Sequence, residues 1–146
     1  MGKASGKLFT DGGSRGNPGP AGIGGILEFT DGNSVSTPRV FKEYIGEATN
    51  NQAEYHAVLA GLRLAAEAKL DEIDVYLDSE LIVKQLRGEY KVRNEELKPL
   101  FAEVLKWTNK FRRIDWHHVP REKNKIADQL VNEALDETSA RPKTSR

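Results

Sequence analysis

Apolar and polar positions divide the chain into segments of two different periods. Leu8, Phe9 and Thr10 form a short apolar run, read as a strand over residues 7–11. A glycine-rich stretch from Gly12 to Pro20 follows and reads as a tight loop. A second strand is predicted over 21–30, rich in small residues, and Asp31-Gly32-Asn33 is a hairpin turn signal. Residues 34–45 read as a polar third strand, placed at a sheet edge by Pro38. The period then changes. Ala53, Ala57, Val58, Gly61, Leu62 and Ala65 recur every three to four positions and predict a helix over 50–69. Alternation returns in Ile73-Asp74-Val75-Tyr76-Leu77, a strand over 72–78. A short helix over 79–87 follows, with Ser79 placed to cap it. Gly88 interrupts that helix. Further segments are a helix over 95–111, a strand over 112–119 and a helix over 124–137.

The order β-β-β-α-β-α-α-β-α predicts an α/β fold, a five-stranded mixed sheet flanked by helices, with an antiparallel start and a βαβ-like finish. The 146 residues fit one domain over 1–137, followed by a polar tail over 138–146 expected to be disordered. That tail also reads as a linker to a further domain. No apolar run approaches the roughly 18–20 residues that span a bilayer, so no membrane partner is expected. The first residues lack the apolar stretch of a secretion signal, and cysteine is absent, which excludes disulfides and thiolate metal sites. A cytoplasmic monomer is expected.

Charge changes the picture only locally. Lys plus Arg equals Asp plus Glu, 22 against 22, so attraction to a polyanion must come from patches or bound cations. Lys84, Arg87, Lys91, Arg93 and Lys98 form one basic cluster, and Lys110, Arg112 and Arg113 another. Four acids stand at places the elements can bring together: Asp11 closes the first strand, Glu54 opens the long helix, Asp78 closes the alternating strand and Asp128 begins the last helix. Two carboxylates about 4 Å apart repel by roughly 4 kcal/mol at an effective dielectric near 20. Four together therefore call for cations. Two Mg²⁺ ions balance four carboxylates and favour hard oxygen ligands. A pair about 3.5–4 Å apart activates water on one side and stabilises a leaving oxygen on the other, which is phosphodiester hydrolysis.

The context of each acid sharpens this reading. Thr10-Asp11-Gly12-Gly13-Ser14-Arg15-Gly16-Asn17-Pro18-Gly19-Pro20-Ala21-Gly22 resembles the opening signature of type 1 ribonuclease H. Thr49-Asn50-Asn51-Gln52-Ala53-Glu54, Leu77-Asp78-Ser79-Glu80-Leu81 and Asn124-Lys125-Ile126-Ala127-Asp128 resemble that family's later acidic motifs, in its order and spacing over about residues 6–136. The resemblance implies the ribonuclease H-like fold and endonucleolytic cleavage of the RNA strand of RNA–DNA hybrids, leaving 3′-hydroxyl and 5′-phosphate ends. It implies Asp11, Glu54, Asp78 and Asp128 as ligands of two Mg²⁺ ions, with Mn²⁺ as the other candidate. A broader A-form nuclease that also cuts double-stranded RNA is the alternative.

A hybrid's shallow minor groove displays 2′-hydroxyls, which small and amide-bearing residues can approach. Gly12, Gly13, Ser14, Asn17, Asn50, Asn51 and Gln52 are accordingly candidate substrate contacts, and the resemblance gives Thr49 a DNA phosphate. Helix capping is the alternative role for Asn50 or Asn51. In the segment His117-His118-Val119-Pro120-Arg121, either Arg121 or His118 takes the place of the family's mobile turnover residue, and the form of the motif favours Arg121. The basic, tryptophan-containing insertion of some bacterial relatives has no room between Leu86 and Asn94. Arg87, Lys91 and Arg93 are left to supply phosphate contacts there.

Overall fold

A computed structural model describes residues 4–31 and 34–140. Strands β1 (Ser5–Ser14), β2 (Gly19–Asp31), β3 (Ser34–Val35) and β4 (Arg39–Ala48) come first, followed by helix α1 (Asn50–Glu67). Then come β5 (Glu72–Leu77), α2 (Glu80–Leu86), α3 (Lys98–Thr108), β6 (Arg113–His118), a 3₁₀ turn (Arg121–Lys123) and α4 (Lys125–Ala140). The main sheet order is β3-β2-β1-β5-β6, with β4 also paired to β2. β1 runs antiparallel to β2 and parallel to β5, and β5 is parallel to β6. This is the expected mixed sheet. Its third predicted strand is cut into β3 and β4 around Pro38, which lacks a ladder amide, and the two pieces pair along the same strand, β2. The Gly32-Asn33 turn lies outside the described residues.

Alternation along β1 gives the sheet two distinct faces. Leu8 and its cross-strand partner Leu27 point into the main core with Val58 and Leu62 of α1, Ile82 of α2 and Val104 of α3. The opposite face holds Asp11 and its partner Gly24, against which α4 packs. No helix among the described residues is long and apolar enough to cross a membrane.

Several boundaries differ from expectation, and three have a clear physical cause. β1 does not end at Asp11: Gly12, Gly13 and Ser14 continue the ladder opposite Ile23, Gly22 and Ala21. The turn proper is shorter, and Gly16, at φ 102°, is its left-handed residue. Helix α3 starts three residues later than 95, because Asn94 folds its side chain onto the Glu96 amide (2.7 Å) and Pro99 enters at the first turn. Helix α4 runs past 137, with the Thr138 hydroxyl donating to the Ala134 carbonyl (3.0 Å), so 138–140 are helical rather than tail. Residues 141–146 lie outside the described structure.

Candidate active site

The parallel pairing of β1 with β5 sets the site's first pair. Phe9 stands beside Tyr76. Two residues further along each chain, Asp11 and Asp78 emerge side by side at the same end of the sheet. Asp11 therefore sits within a strand still paired to β2, opposite Gly24, rather than at a frayed end.

Glu54 arrives from α1 through a contact that only glycine permits. A Cβ on Gly12 would lie 2.2 Å from the Ala53 carbonyl oxygen and 2.7 Å from the Glu54 amide nitrogen. The bare backbone lets the start of α1 rest on β1. Helix α1 starts where it does because Thr49 and Gln52 form a reciprocal cap. The Gln52 amide donates to Thr49 Oγ1 (3.1 Å), and the Thr49 amide donates to Gln52 Oε1 (2.8 Å). Asp128 comes from the other face on the first turn of α4.

Asp11, Glu54 and Asp78 each present an oxygen within 4.8 Å of the others. Asp128 lies outside that tight trio but lines the same open cavity of about 440 Å³, and its proximity raises the Asp11 pKa. All four acids thus share one hollow, together with Gly12, Gly13, Ser14, Arg15, Asn50 and Arg121. A separate, more apolar hollow of about 250 Å³ between Phe9, Ile26 and the start of α4 contains none of them.

Crowding is visible in the titration of the buried members. Asp11 is 8% exposed; burial first, then the charges of Asp78 and Asp128, push its pKa up to about 7. Glu54 is 7% exposed, and burial, then Asp11 and Asp78, hold it well above the usual carboxylate range. Each therefore holds its proton more tightly than an ordinary carboxyl group when no cation is bound. Glu54 Oε1 is buried and has no hydrogen-bond partner among the described residues. An all-oxygen donor set with an unpartnered buried oxygen fits a hard divalent cation such as Mg²⁺.

The proposed contact residues fall into two groups. Asn50 does not cap α1; its Oδ1 accepts from the Ser14 amide (2.8 Å) and hydroxyl (3.2 Å), and its own amide donates to Asn17 Oδ1 (3.0 Å). Together these tie the β1–β2 turn to the start of α1. Thr49 and Gln52 hold the cap, and the half-buried Asn51 side chain has no hydrogen-bond partner among the described residues. Arg121 reaches the acidic cavity from the 3₁₀ turn, whereas His118 is exposed at the end of β6 and does not line it. Arg87, Lys91 and Arg93 are exposed and outside the cavity, and Arg87 is partly committed, its Nε donating to the Trp116 carbonyl (2.9 Å).

Sequence reasoning missed two residues. Asn132 lines the cavity one helical turn beyond Asp128, and its Nδ2 donates to the Asp128 carbonyl (3.2 Å). The i,i+4 spacing from Asp128 was the available signal. The other is Asn124, a buried side chain at the start of α4.

A sequence profile for the family described as reverse transcriptase-like matches residues 9–134. A bifunctional protein of Mycobacterium tuberculosis is 44% identical over 129 residues, covering 88% of this chain, which spans only 35% of that protein's length. The ribonuclease HI of Halobacterium salinarum is 43% identical over 131 residues, 88% of this chain and 63% of the relative. The crystal structure of RNase H1 from that archaeon superimposes with a TM-score of 0.84 at 40% identity, covering 91% of this chain and 98% of the other. LC11-RNase H1, isolated from compost by a metagenomic approach, was solved in complex with an RNA/DNA hybrid; it matches with a TM-score of 0.79 at 43% identity over 94% of this chain and 100% of its own.

Proposed function

The chain belongs to the type 1 ribonuclease H family, and from that membership we propose that it cleaves the RNA strand of RNA–DNA hybrids, leaving 3′-hydroxyl and 5′-phosphate ends. One observation carries the reading: four carboxylates from four separate elements line a single cavity, two of them too buried and crowded to ionise freely without a counter-charge. Asp11 and Asp78, side by side on parallel strands, would hold the centre of a two-ion site. Glu54 and Asp128 would complete it from opposite faces of the sheet. Two Mg²⁺ ions bound there would supply Lewis acidity, lowering the pKa of water and stabilising the leaving oxygen.

The protein's own residues orient the substrate. The water oxygen bonds to phosphorus and gives up a proton to solvent as the P–O3′ bond breaks, and the departing 3′-oxygen takes up a proton from solvent. Gly12, Gly13 and Ser14 leave the ribose side of the cavity unobstructed, and Asn17 and Asn50 brace the turn that borders it. Asn51 and Gln52 face the same minor groove in this reading, and Thr49 a DNA phosphate. Arg121, rather than His118, is the group placed to act on the departing phosphate, because it alone of the two lines the cavity. Arg87, Lys91 and Arg93 add phosphate contacts away from the acids. The complex of LC11-RNase H1 with an RNA/DNA hybrid, a structure 43% identical to this chain, supports the choice of substrate.

The test is digestion of sequence-matched hybrid, double-stranded RNA and double-stranded DNA, with Mg²⁺ and with chelator. Cleavage confined to the hybrid's RNA strand and abolished by chelator is expected. Cleavage of double-stranded RNA at a comparable rate would replace hybrid specificity with a general A-form nuclease.

A further inference from the structure

Asn124 occupies the residue before α4, where an asparagine ordinarily turns its side-chain oxygen onto the helix's first free amides. Here it does not. Asn124 is 1% exposed, and its Oδ1 has no hydrogen-bond partner among the described residues. Its Nδ2 instead donates to the Thr10 carbonyl (2.9 Å) and to Asp78 Oδ2 (3.2 Å). Both partners are acceptors, which fixes the end of the carboxamide that faces them as the NH₂ group. Its main chain is equally committed: its amide donates to the Arg121 carbonyl (2.9 Å), and its carbonyl accepts from the Asp128 amide (3.1 Å).

One buried residue therefore touches the strand residue preceding Asp11, the carboxylate of Asp78, the backbone of Asp128 and the turn that carries Arg121. We infer that Asn124 is a positioning residue for the cation site, holding the Asp78 carboxylate in its ligating orientation and docking α4 so that Asp128 meets Asp11. This rests on the metal-dependent reading above. Leaving Oδ1 unpaired is unfavourable for stability alone, since a buried acceptor without a donor loses its hydration. The arrangement makes sense if the side chain serves Asp78 rather than its own helix. Hydrogen bonds of this outer kind set ligand orientation, and their loss typically lowers metal affinity by about 10–100-fold.

The experiment is calorimetric titration of Mn²⁺ into the substrate-free protein and its Asn124→Ala variant, alongside melting curves and hybrid-cleavage kinetics. Mn²⁺ binding should weaken by about 10-fold or more. The metal concentration for half-maximal cleavage should rise with it, while KM for the hybrid at saturating metal stays within about twofold. A Val104→Ala variant, a core truncation on α3 away from the acids, should melt earlier with unchanged Mn²⁺ affinity. If Asn124→Ala does not fold, Asn124→Ser, which keeps one short donor, should show an intermediate loss in the same titration. A folded Asn124 variant that melts earlier but binds Mn²⁺ like the parent overturns this inference alone. A parent that binds no Mn²⁺ overturns the metal reading and this inference with it.

Discussion

Asp11 and Gly24 face each other across β1 and β2, and the side chain that Gly24 lacks is the space α4 occupies to bring Asp128 to Asp11. A Cβ there would stand 2.6 Å from Leu130 Cβ and 2.9 Å from the Ala127 carbonyl, so the helix must retreat. Gly24→Ala should destabilise the protein by about 1–3 kcal/mol, as overpacking does. It should also weaken metal-dependent cleavage, because the helix that moves carries a ligand. Gly13→Ala, whose Cβ would meet nothing closer than 3.8 Å, should cost little stability. Chemical denaturation of both variants checks the contrast; equal stabilities would contradict the packing argument.

Removing a charge from the cluster should stabilise the metal-free protein. Asp11→Asn relieves repulsion with Asp78 and Asp128 and should raise the metal-free Tm while abolishing cleavage. A lower Tm for this variant in chelator would contradict the crowded-carboxylate picture.

The same crowding gives a pH dependence with a defined sign. The Asp11 pKa is about 7 in the folded protein against an ordinary 3.8, so between those values the folded state binds more protons than the unfolded one. Metal-free stability should fall as pH rises from about 4 to about 7 on account of Asp11, and the raised Glu54 pKa acts in the same direction. The Tm gain on adding Mg²⁺ should accordingly be larger at pH 8 than at pH 5. Melting curves at the two pH values, with and without Mg²⁺, test this; a Mg²⁺ gain that shrinks with pH would refute it.

Arg121 and His118 separate cleanly by mutation. Arg121→Ala should lower kcat by about 10-fold or more, in the range of a positioned charged group. His118→Ala should leave the rate and the pH–rate profile unchanged, because that side chain lies on the outside of β6. A profile that loses its lower limb in His118→Ala would reverse the assignment.

Much of this site was legible in the chain before any coordinates. The four acids could be found because each lies near a change of period or a glycine-rich stretch in the sequence, although β1 runs on past Asp11. Their convergence also follows from topology, since a parallel β1–β5 pair puts Asp11 beside Asp78. What the pattern hid were close approaches. Gly12-Gly13 has the composition of a turn, yet it continues a strand, because the need for glycine comes from Ala53 packing on Gly12 rather than from a positive φ. Capping was the alternative role for Asn50 or Asn51, but the neighbouring Thr49 forms the box with Gln52, and Asn50 is left to brace the turn. Asn124 was unreadable as a partner of Asp78, because that contact joins residues 46 positions apart.

The short connection between α2 and α3 bears on affinity. Only Arg87, Lys91 and Arg93 stand there, and Arg87 is partly held by Trp116. Each neutralised phosphate contributes about 0.9 to the slope of log K against log salt, so binding of an uncleavable hybrid should give a slope shallower than about 6. A steeper slope would mean that other basic residues carry the contact.

The most direct test is cleavage of a hybrid labelled on both strands, by the parent and by Asp11→Asn, Glu54→Gln, Asp78→Asn and Asp128→Asn in turn. The parent should cut only the RNA strand and only with a divalent cation. Each carboxamide variant should fall by about 100-fold or more if its oxygen helps to hold the ions. A parent that cuts in chelator, or Asp11→Asn or Asp78→Asn variants that keep most of the parental rate, would contradict the account.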